Sequence, residues 1–210
     1  MTDIEFCEYI KTQESFTQMV KQYKPKLVFL AGSRGCGVST PQSDYDLIVI
    51  TSHWKIQSIL GCDEIKLATD QVSGVHCYIY SLDYCYDWLN DTKKYPHNSR
   101  SDLWFQNYIA LQNKDYIILN LDSNCVKFWF DNKQHIIKKS LHNLFNIHWP
   151  YLNKNGKFLG HCAMALSLAS NKPICHQNII AMKKLKYEDC KDHIRKELLT
   201  QWNEYLMNKQ

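Results

Sequence analysis

Residues 30–49 read LAGSRGCGVSTPQSDYDLIV, and this stretch decides the fold. It contains the end of one apolar run and the start of another, with a glycine-rich turn between them. Short apolar runs that are rich in strand-forming residues and bounded by turn residues are typical of buried strands. We therefore predict one strand at 26–31 and a second at 46–51, connected by a turn that begins at Gly32.

Two aspartates, Asp44 and Asp46, flank a single residue at the start of the second predicted strand. Side chains two positions apart on a strand point to the same face, so these two carboxylates are expected to lie side by side. Close carboxylates repel each other, and a divalent cation removes that conflict. Mg²⁺ prefers oxygen ligands and is often held by one or two carboxylates together with substrate phosphates. The pair therefore predicts a magnesium site.

The turn that precedes this pair has the composition of an anion-binding segment. Gly32 lets a phosphate group approach the backbone N–H groups closely, and Ser33 adds a hydroxyl donor. Arg34, one of three arginines in the chain, follows directly. We expect Gly32, Ser33 and Arg34 to contact a nucleotide. A phosphate-binding turn beside a carboxylate pair is what the handling of a magnesium–triphosphate requires.

The order of these residues resembles a known signature. Gly32-Ser33, followed by SDYDL at 43–47, is similar to the pattern of the nucleotidyltransferase superfamily that includes DNA polymerase beta, and looks closest to its small bacterial and phage branch. The resemblance implies an α/β fold with a small mixed sheet and flanking helices, followed by a C-terminal helical domain. It also implies an enzyme that transfers a nucleoside monophosphate from a nucleoside triphosphate, with ATP expected, to a hydroxyl group and releases pyrophosphate. Asp44 and Asp46 would then bind magnesium, with two ions expected.

The chain departs from the signature at the third carboxylate. The similar proteins carry an acidic residue at the start of a neighbouring strand, whereas here His76 opens the strand predicted at 75–80. Three interpretations stay open. His76 acts as a metal ligand or as the base that takes the acceptor's proton. Alternatively, Asp70 or Asp83 supplies the carboxylate, or the chain is a degenerate regulatory module that binds a nucleotide without catalysis.

The rest of the chain shows mainly helical spacing of apolar residues. Residues 3–23 follow a helical period that is interrupted at Gln13, and several helical stripes follow from about residue 132 onward. We therefore expect a catalytic domain at 1–125 and a helical domain at 126–210.

Two residues of the helical half are candidates for nucleotide binding. Lys157 and His161 are four positions apart and therefore share one face of a helix. Their segment resembles a K-x-x-x-H-A-like helix that follows the catalytic domain in the similar proteins, which implies that both residues contact the triphosphate. We also expect the small Gly160 to permit close packing against the catalytic half.

Charge separates the two halves of the chain. Residues 131–210 hold 13 Lys and Arg against 6 Asp and Glu, a balance of +7, whereas residues 1–130 hold 12 against 15, a balance of −3. A basic segment raises the alternative that the chain binds RNA through its tail. The acceptor in a transfer reaction stays open between RNA, a protein and a small molecule.

The chain contains no targeting signal that the sequence makes recognisable. No apolar run approaches the ~20 residues that a membrane helix needs, and the first ten residues lack a signal-peptide pattern. We therefore expect a cytoplasmic protein with no membrane partner, in which the 9 cysteines are reduced thiols.

Overall fold

The structure is a computed structural model in which the chain forms two compact units. The described residues are 1–52, 55, 62–90, 101–190 and 192–208. The first unit comprises Met1–Asn98 and Gln106–Lys133, and the second comprises Ser99–Phe105 and Gln134–Gln210. The domain boundary predicted between 125 and 126 stays a prediction.

A five-stranded mixed sheet forms the centre of the first unit in the described residues. Its strands are β1 Leu27–Ala31, β2 Tyr45–Thr51, β3 Asp63–Leu67, β4 Val75–Ser81 and β5 Ile117–Asn120. Their order across the sheet is β3-β4-β2-β1-β5, and β2 pairs with β4 in parallel while the other neighbours are antiparallel. The mixed α/β fold class and the strands predicted around 26–31, 46–51 and 75–80 are thereby confirmed.

Helices make up most of the remaining described chain. They are α1 Asp3–Ile10, α2 Glu14–Tyr23, α3 Gly32–Gly35, α4 Leu82–Asn90, α5 Phe105–Ala110, α6 Ser123–Asp131, α7 Lys133–His142, α8 Trp149–Leu152, α9 Gly156–Ala169, α10 His176–Lys183 and α11 Asp192–Met207. A π-helical segment, Asn143–His148, joins α7 to α8, and short 3₁₀ turns lie at Ser101–Leu103, Lys114–Tyr116 and Tyr187–Asp189. Within the described ranges, no helix combines the length and the apolar character that crossing a membrane requires.

A capping box starts the first N-terminal helix, and a left-handed residue ends the second. Thr2 and Glu5 form a capping box at the start of α1, in which each side chain accepts a hydrogen bond from the other residue's backbone N–H group. The predicted interruption at Gln13 is confirmed, because Gln13 is the N-cap of α2. Lys24 adopts a left-handed conformation with φ 47° and ends α2 directly before Pro25.

The two faces of the sheet serve different purposes. One set of alternate strand residues packs with α1 and α2 in a single apolar cluster, to which the strands contribute mainly Val28, Leu30, Tyr45, Leu47, Val49, Val75, Cys77 and Ile79. Because successive side chains on a strand point to opposite faces, Asp46 and His76 lie on the other face. Burial of one face by α1 and α2 therefore decides on which side the polar residues stand.

The second unit has an aromatic core of its own. Phe145 stacks on Trp149 and on Trp202, with ring centroids 5.1 and 5.0 Å apart. Gly160 of α9 faces α10, since a Cβ at this position would lie 3.0 Å from Cγ of Lys183. The small size of Gly160 thus serves the packing of α9 on α10, and its expected packing against the catalytic half stays a prediction.

Candidate functional site

The contact between Gly32 and Asp46 forms the centre of the candidate site. β1 runs antiparallel to β2 with Ala31 opposite Asp46, so the residue that follows β1 lies beside the aspartate. Gly32 has φ +60°, and a Cβ at this position would collide with Oδ2 of Asp46. The carboxylate therefore rests on the Gly32 backbone, in space that any other residue type would fill with its own side chain.

Asp44 is placed by a second glycine in the same manner. The backbone N–H of Tyr45 donates a 2.9 Å hydrogen bond to the carbonyl of Gly74, which brings the start of β2 next to the start of β4. Gly74 has φ +73°, and a Cβ there would collide with Oδ1 of Asp44. Asp44 is exposed and Asp46 is half-buried. The two predicted metal ligands therefore stand together at one end of the sheet, each against a glycine.

The predicted turn after β1 folds as a single helical turn, α3. Because α3 begins at Gly32, the N–H groups of its first residues have no acceptor within the helix. Ser33 is half-buried in this turn. A Cβ at Gly35 would lie 2.7 Å from the carbonyl oxygen of Leu30 and 2.8 Å from Cβ of Ala110, so α3 packs tightly against the end of β1. This packing fixes Gly32 and Ser33 relative to Asp46.

Arg34 contacts residues on the face of the sheet that is opposite to Asp46. Its guanidinium forms a 2.8 Å ion pair with Asp3 of α1 and donates two hydrogen bonds, of 3.1 and 2.8 Å, to the backbone carbonyl of Ser43. The guanidinium also lies 3.8 Å from the centre of the Tyr45 ring. Tyr45 belongs to the face that α1 covers, whereas Asp46 faces away from it. Arg34 thus ties the loop before Asp44 to α1, and its nucleotide contact stays a prediction.

His76 lies directly beside Asp46. The two residues are register partners on the parallel strands β2 and β4. Nδ1 of His76 is 3.0 Å from Oε1 of Glu64, and the two side chains are 16% and 37% exposed. Glu64 was not predicted as a site residue because β3, whose five residues DEIKL include three charged ones, lacks the apolar run of a buried strand. The sequence feature that could have predicted β3 is its alternation of charged and apolar residues, which is typical of an edge strand.

Neither alternative carboxylate reaches the position beside Asp46. Asp70 accepts a hydrogen bond from the hydroxyl group of Tyr9, a residue of α1, and α1 covers the opposite face of the sheet. Asp83 lies in the first turn of α4, after the end of β4. The five steps of β4 from His76 to Ser81 alone span about 17 Å. Of the three candidates, His76 is therefore the one that lies beside Asp46, and its role stays a prediction.

The carboxylate pair fits a magnesium ion that is shared with a substrate. In the described part of the chain, no three His, Cys, Asp or Glu side chains are arranged to hold a metal ion by themselves. Asp44 and Asp46 supply two carboxylates, and Mg²⁺ is usually bound through one or two carboxylates with phosphates and water completing its coordination. Their donor set is therefore suited to a metal that arrives with a triphosphate.

Lys157 and His161 lie on α9 in the second unit. Lys157 is exposed and His161 is buried. Burial lowers the pKa of His161 to about 3, and the charges of Lys183 and Lys157 add to this effect. His161 is therefore a neutral ring at neutral pH, and Lys157 carries the positive charge of the pair. Their contact with a triphosphate stays a prediction.

The structure thus places a carboxylate pair at the start of a central strand of a small mixed sheet, beside a Gly-Ser turn. The family model described as "Nucleotidyltransferase domain" matches residues 11–140, which is more than half of the chain. The chain belongs to this family, and the predicted superfamily is confirmed. No curated protein matches the chain. The closer likeness to the bacterial and phage branch stays a prediction.

The contacts of Arg34 predict a measurable loss of stability. We expect Arg34→Met to lower the free energy of unfolding by about 2–3 kcal/mol, because charge-assisted hydrogen bonds are lost and Asp3 keeps a partly buried charge without its partner. Lys11→Met serves as the control, since the Lys11–Glu8 pair is 38% and 71% exposed and such pairs contribute about 0–1 kcal/mol. Urea unfolding measures both variants, and equally small losses would contradict the assignment.

Burial of His161 predicts that stability depends on pH. The folded-state pKa lies near 3 and the ordinary value is 6.5, so the unfolded chain binds a proton first as the pH falls. Stability is therefore lost below pH 6.5 and continues to fall until about pH 3, at about 2 kcal/mol between pH 7 and pH 5. We expect His161→Gln to remove this part of the pH dependence in urea unfolding.

The exposed His135 on α7 provides the matched control for this experiment. His135→Gln removes a histidine as well, but from the surface of the protein. If His161→Gln loses stability between pH 7 and pH 5 as steeply as wild type and His135→Gln do, the buried neutral state of His161 is refuted.

Proposed function

We propose that the protein is a magnesium-dependent nucleotidyltransferase that transfers a nucleoside monophosphate from a nucleoside triphosphate to an acceptor hydroxyl group. The observation that carries this proposal is the contact between the Asp46 carboxylate and the Gly32 backbone. It puts a metal-binding oxygen next to the first N–H groups of α3. Family membership supports nucleotidyl transfer as the general reaction.

The proposed roles follow from where the side chains stand. Asp44 and Asp46 would hold Mg²⁺, with two ions expected, and bound magnesium supplies neutralisation of the triphosphate charge. Gly32 and Ser33 bind the phosphates through backbone N–H groups and the Ser33 hydroxyl. Arg34 keeps the loop that carries Asp44 against α1, whether or not it also contacts the nucleotide. Positioning and charge stabilisation are the main contributions that a protein makes to phosphoryl chemistry.

The transfer itself exchanges one bond to phosphorus for another. The acceptor oxygen forms a bond to the α-phosphorus, and the bond from that phosphorus to the bridging oxygen of the β-phosphate breaks. Pyrophosphate leaves with the electron pair of that bond, and the proton of the acceptor hydroxyl is released. His76 is the described residue beside Asp46 that is chemically able to receive a hydrogen bond from this hydroxyl.

The second unit is proposed to contribute Lys157. Its exposed ammonium group is a point charge that suits a phosphate. His161 is assigned to the same nucleotide-binding helix, where its neutral ring is restricted to hydrogen bonding. A loss of triphosphate affinity in Lys157→Ala at low salt would support this role, and unchanged affinity would refute it.

A degenerate nucleotide-binding module is the second candidate. The observation in its favour is His76 at the third carboxylate position, together with the lack of a three-residue metal cluster among the described residues. The substitution His76→Asp separates the two candidates. Restored or increased pyrophosphate release would indicate a decayed site, whereas loss of existing activity would show that the histidine is used.

The acceptor is the least defined part of the proposal. It is found by incubating the protein with Mg²⁺, cell extract and each nucleoside triphosphate labelled at the α-phosphate. Sensitivity of the labelled product to ribonuclease or to protease then distinguishes RNA, a protein and a small molecule.

Saturable triphosphate binding without any pyrophosphate release would favour the degenerate module instead. Binding of unlabelled RNA that weakens steeply with salt would support the basic tail as an RNA-binding segment.

The carboxylate pair gives the sharpest prediction. Asp44→Asn and Asp46→Asn are each expected to reduce pyrophosphate release by at least a factor on the order of 10²–10³, because each removes charge from the proposed metal site. The free energy of unfolding should change by no more than about 0.5 kcal/mol, as neither change opens a cavity. Asp131→Asn, at an exposed position at the end of α6, is the control. Undiminished activity in both variants would rule out the proposed site.

A further inference from the structure

The edge strand β3 adds charged side chains to the face that carries the candidate site. β3 pairs antiparallel with β4, and in this register Glu64 is opposite Tyr78 and Lys66 is opposite His76. Ile65 packs against the apolar cluster under α1 and α2 and Leu67 is part of it, so their neighbours Glu64 and Lys66 point to the opposite face. Glu64, Lys66, His76 and Asp46 therefore share one face of the sheet.

The hydrogen bond between Glu64 and His76 selects one form of the imidazole ring. Nδ1 of His76 and Oε1 of Glu64 are 3.0 Å apart. An ionised carboxylate accepts hydrogen bonds and donates none, so the shared proton belongs to Nδ1. In a neutral imidazole with its proton on Nδ1, Nε2 has a free lone pair and is a hydrogen-bond acceptor.

The surroundings of His76 hold the ring in place. The side chain is 16% exposed, and its ring is nearly parallel to that of Tyr78, with centroids 6.4 Å apart and an interplanar angle of 19°. In the described part of the chain, the titratable and charged groups around His76 include Asp44 and Asp46 at the start of β2, Glu64 and Lys66 from β3, and Tyr78 from its own strand. Glu64 is the member of this set whose hydrogen bond engages Nδ1.

We propose that Glu64 is a positioning residue that holds His76 as the tautomer whose Nε2 accepts a hydrogen bond from the attacking hydroxyl group of the acceptor. This inference rests on the nucleotidyl transfer proposed above. His76, which Glu64 contacts, stands where the resemblance implies a carboxylate. A hydroxyl group is then the donor to Nε2, and its oxygen keeps its lone pairs for the bond to the α-phosphorus.

The first test reads the tautomer directly and needs no activity. The full-length protein is labelled with ¹⁵N-histidine, and the signals of His76 are assigned by comparison with His76→Gln. Long-range ¹H–¹⁵N correlation spectra at pH 8, with and without Mg²⁺, then show which ring nitrogen carries the proton. We expect an unprotonated Nε2 in wild type and in Glu64→Gln, whose amide oxygen still accepts from Nδ1. Glu64→Ala should shift the ring toward a protonated Nε2.

The tautomer result has clear contrary outcomes. A His76 ring that is protonated on both nitrogens in wild type at pH 8 would overturn the inference, because Nε2 is then a donor. Identical tautomer populations in wild type and Glu64→Ala would overturn it as well. Asp63→Asn is the matched control, since Asp63 is the neighbouring acid on β3 and points to the opposite face.

The second test separates positioning from nucleotide binding. In the transfer assay, Glu64→Ala should lower kcat by roughly tenfold to hundredfold, the range typical when a histidine loses its orienting carboxylate. KM for the triphosphate should stay unchanged, and Glu64→Gln should recover most of the rate. Equal losses in Glu64→Ala and Glu64→Gln would overturn the positioning role, since charge rather than orientation would then matter.

The two tests distinguish failure of this inference from failure of the proposed function. If no triphosphate supports transfer, the proposed function fails, while the spectra still decide whether Glu64 sets the tautomer of His76. If transfer occurs but Glu64→Ala changes neither kcat nor the tautomer, nucleotidyl transfer stands and the role of Glu64 is wrong.

Discussion

The contact of the Asp46 carboxylate with the Gly32 backbone depends on the register between β1 and β2. That register places Ala31 opposite Asp46, and it is the same register in which Leu47 and Val49 enter the apolar cluster under α1 and α2. A shift of one residue would turn every side chain of β2 to the other face. It would turn the Asp46 carboxylate into the apolar cluster and move Leu47 and Val49 out of that cluster. Packing of the core therefore holds the candidate site in place.

This constraint explains how packing under α1 and α2 organises the opposite face of the sheet. The parallel pairing of β2 with β4 brings His76 beside Asp46, and β3 then brings Glu64 to within 3.0 Å of His76. Arg34 acts from the buried side, where its ion pair with Asp3 fixes the loop that leads to Asp44. The chemistry proposed for the face that carries Asp46 and His76 therefore rests on contacts that lie on both sides of the sheet.

Local patterns in the sequence were sufficient to predict the strands around 26–31, 46–51 and 75–80, the break at Gln13 and the nucleotidyltransferase fold. The edge strand β3 was not predicted, because most of its side chains are charged and only Ile65 and Leu67 follow an apolar alternation. The partners of Arg34 and of Glu64 were not predicted for a different reason. Arg34 and Asp3 are 31 positions apart, and Glu64 and His76 are 12 apart, so only the folded sheet brings them together.

The most direct test compares Gly32→Ala with Gly37→Ala. Both glycines have positive φ, of 60° and 68°, so each substitution carries a similar backbone cost of about 1–2 kcal/mol. Only the Cβ at position 32 enters the space of the Asp46 carboxylate. The measurement is magnesium-dependent binding of a non-hydrolysable nucleoside triphosphate by calorimetry. We expect at least a tenfold loss of affinity in Gly32→Ala and wild-type affinity in Gly37→Ala, and equal affinity in both variants would refute the proposed site.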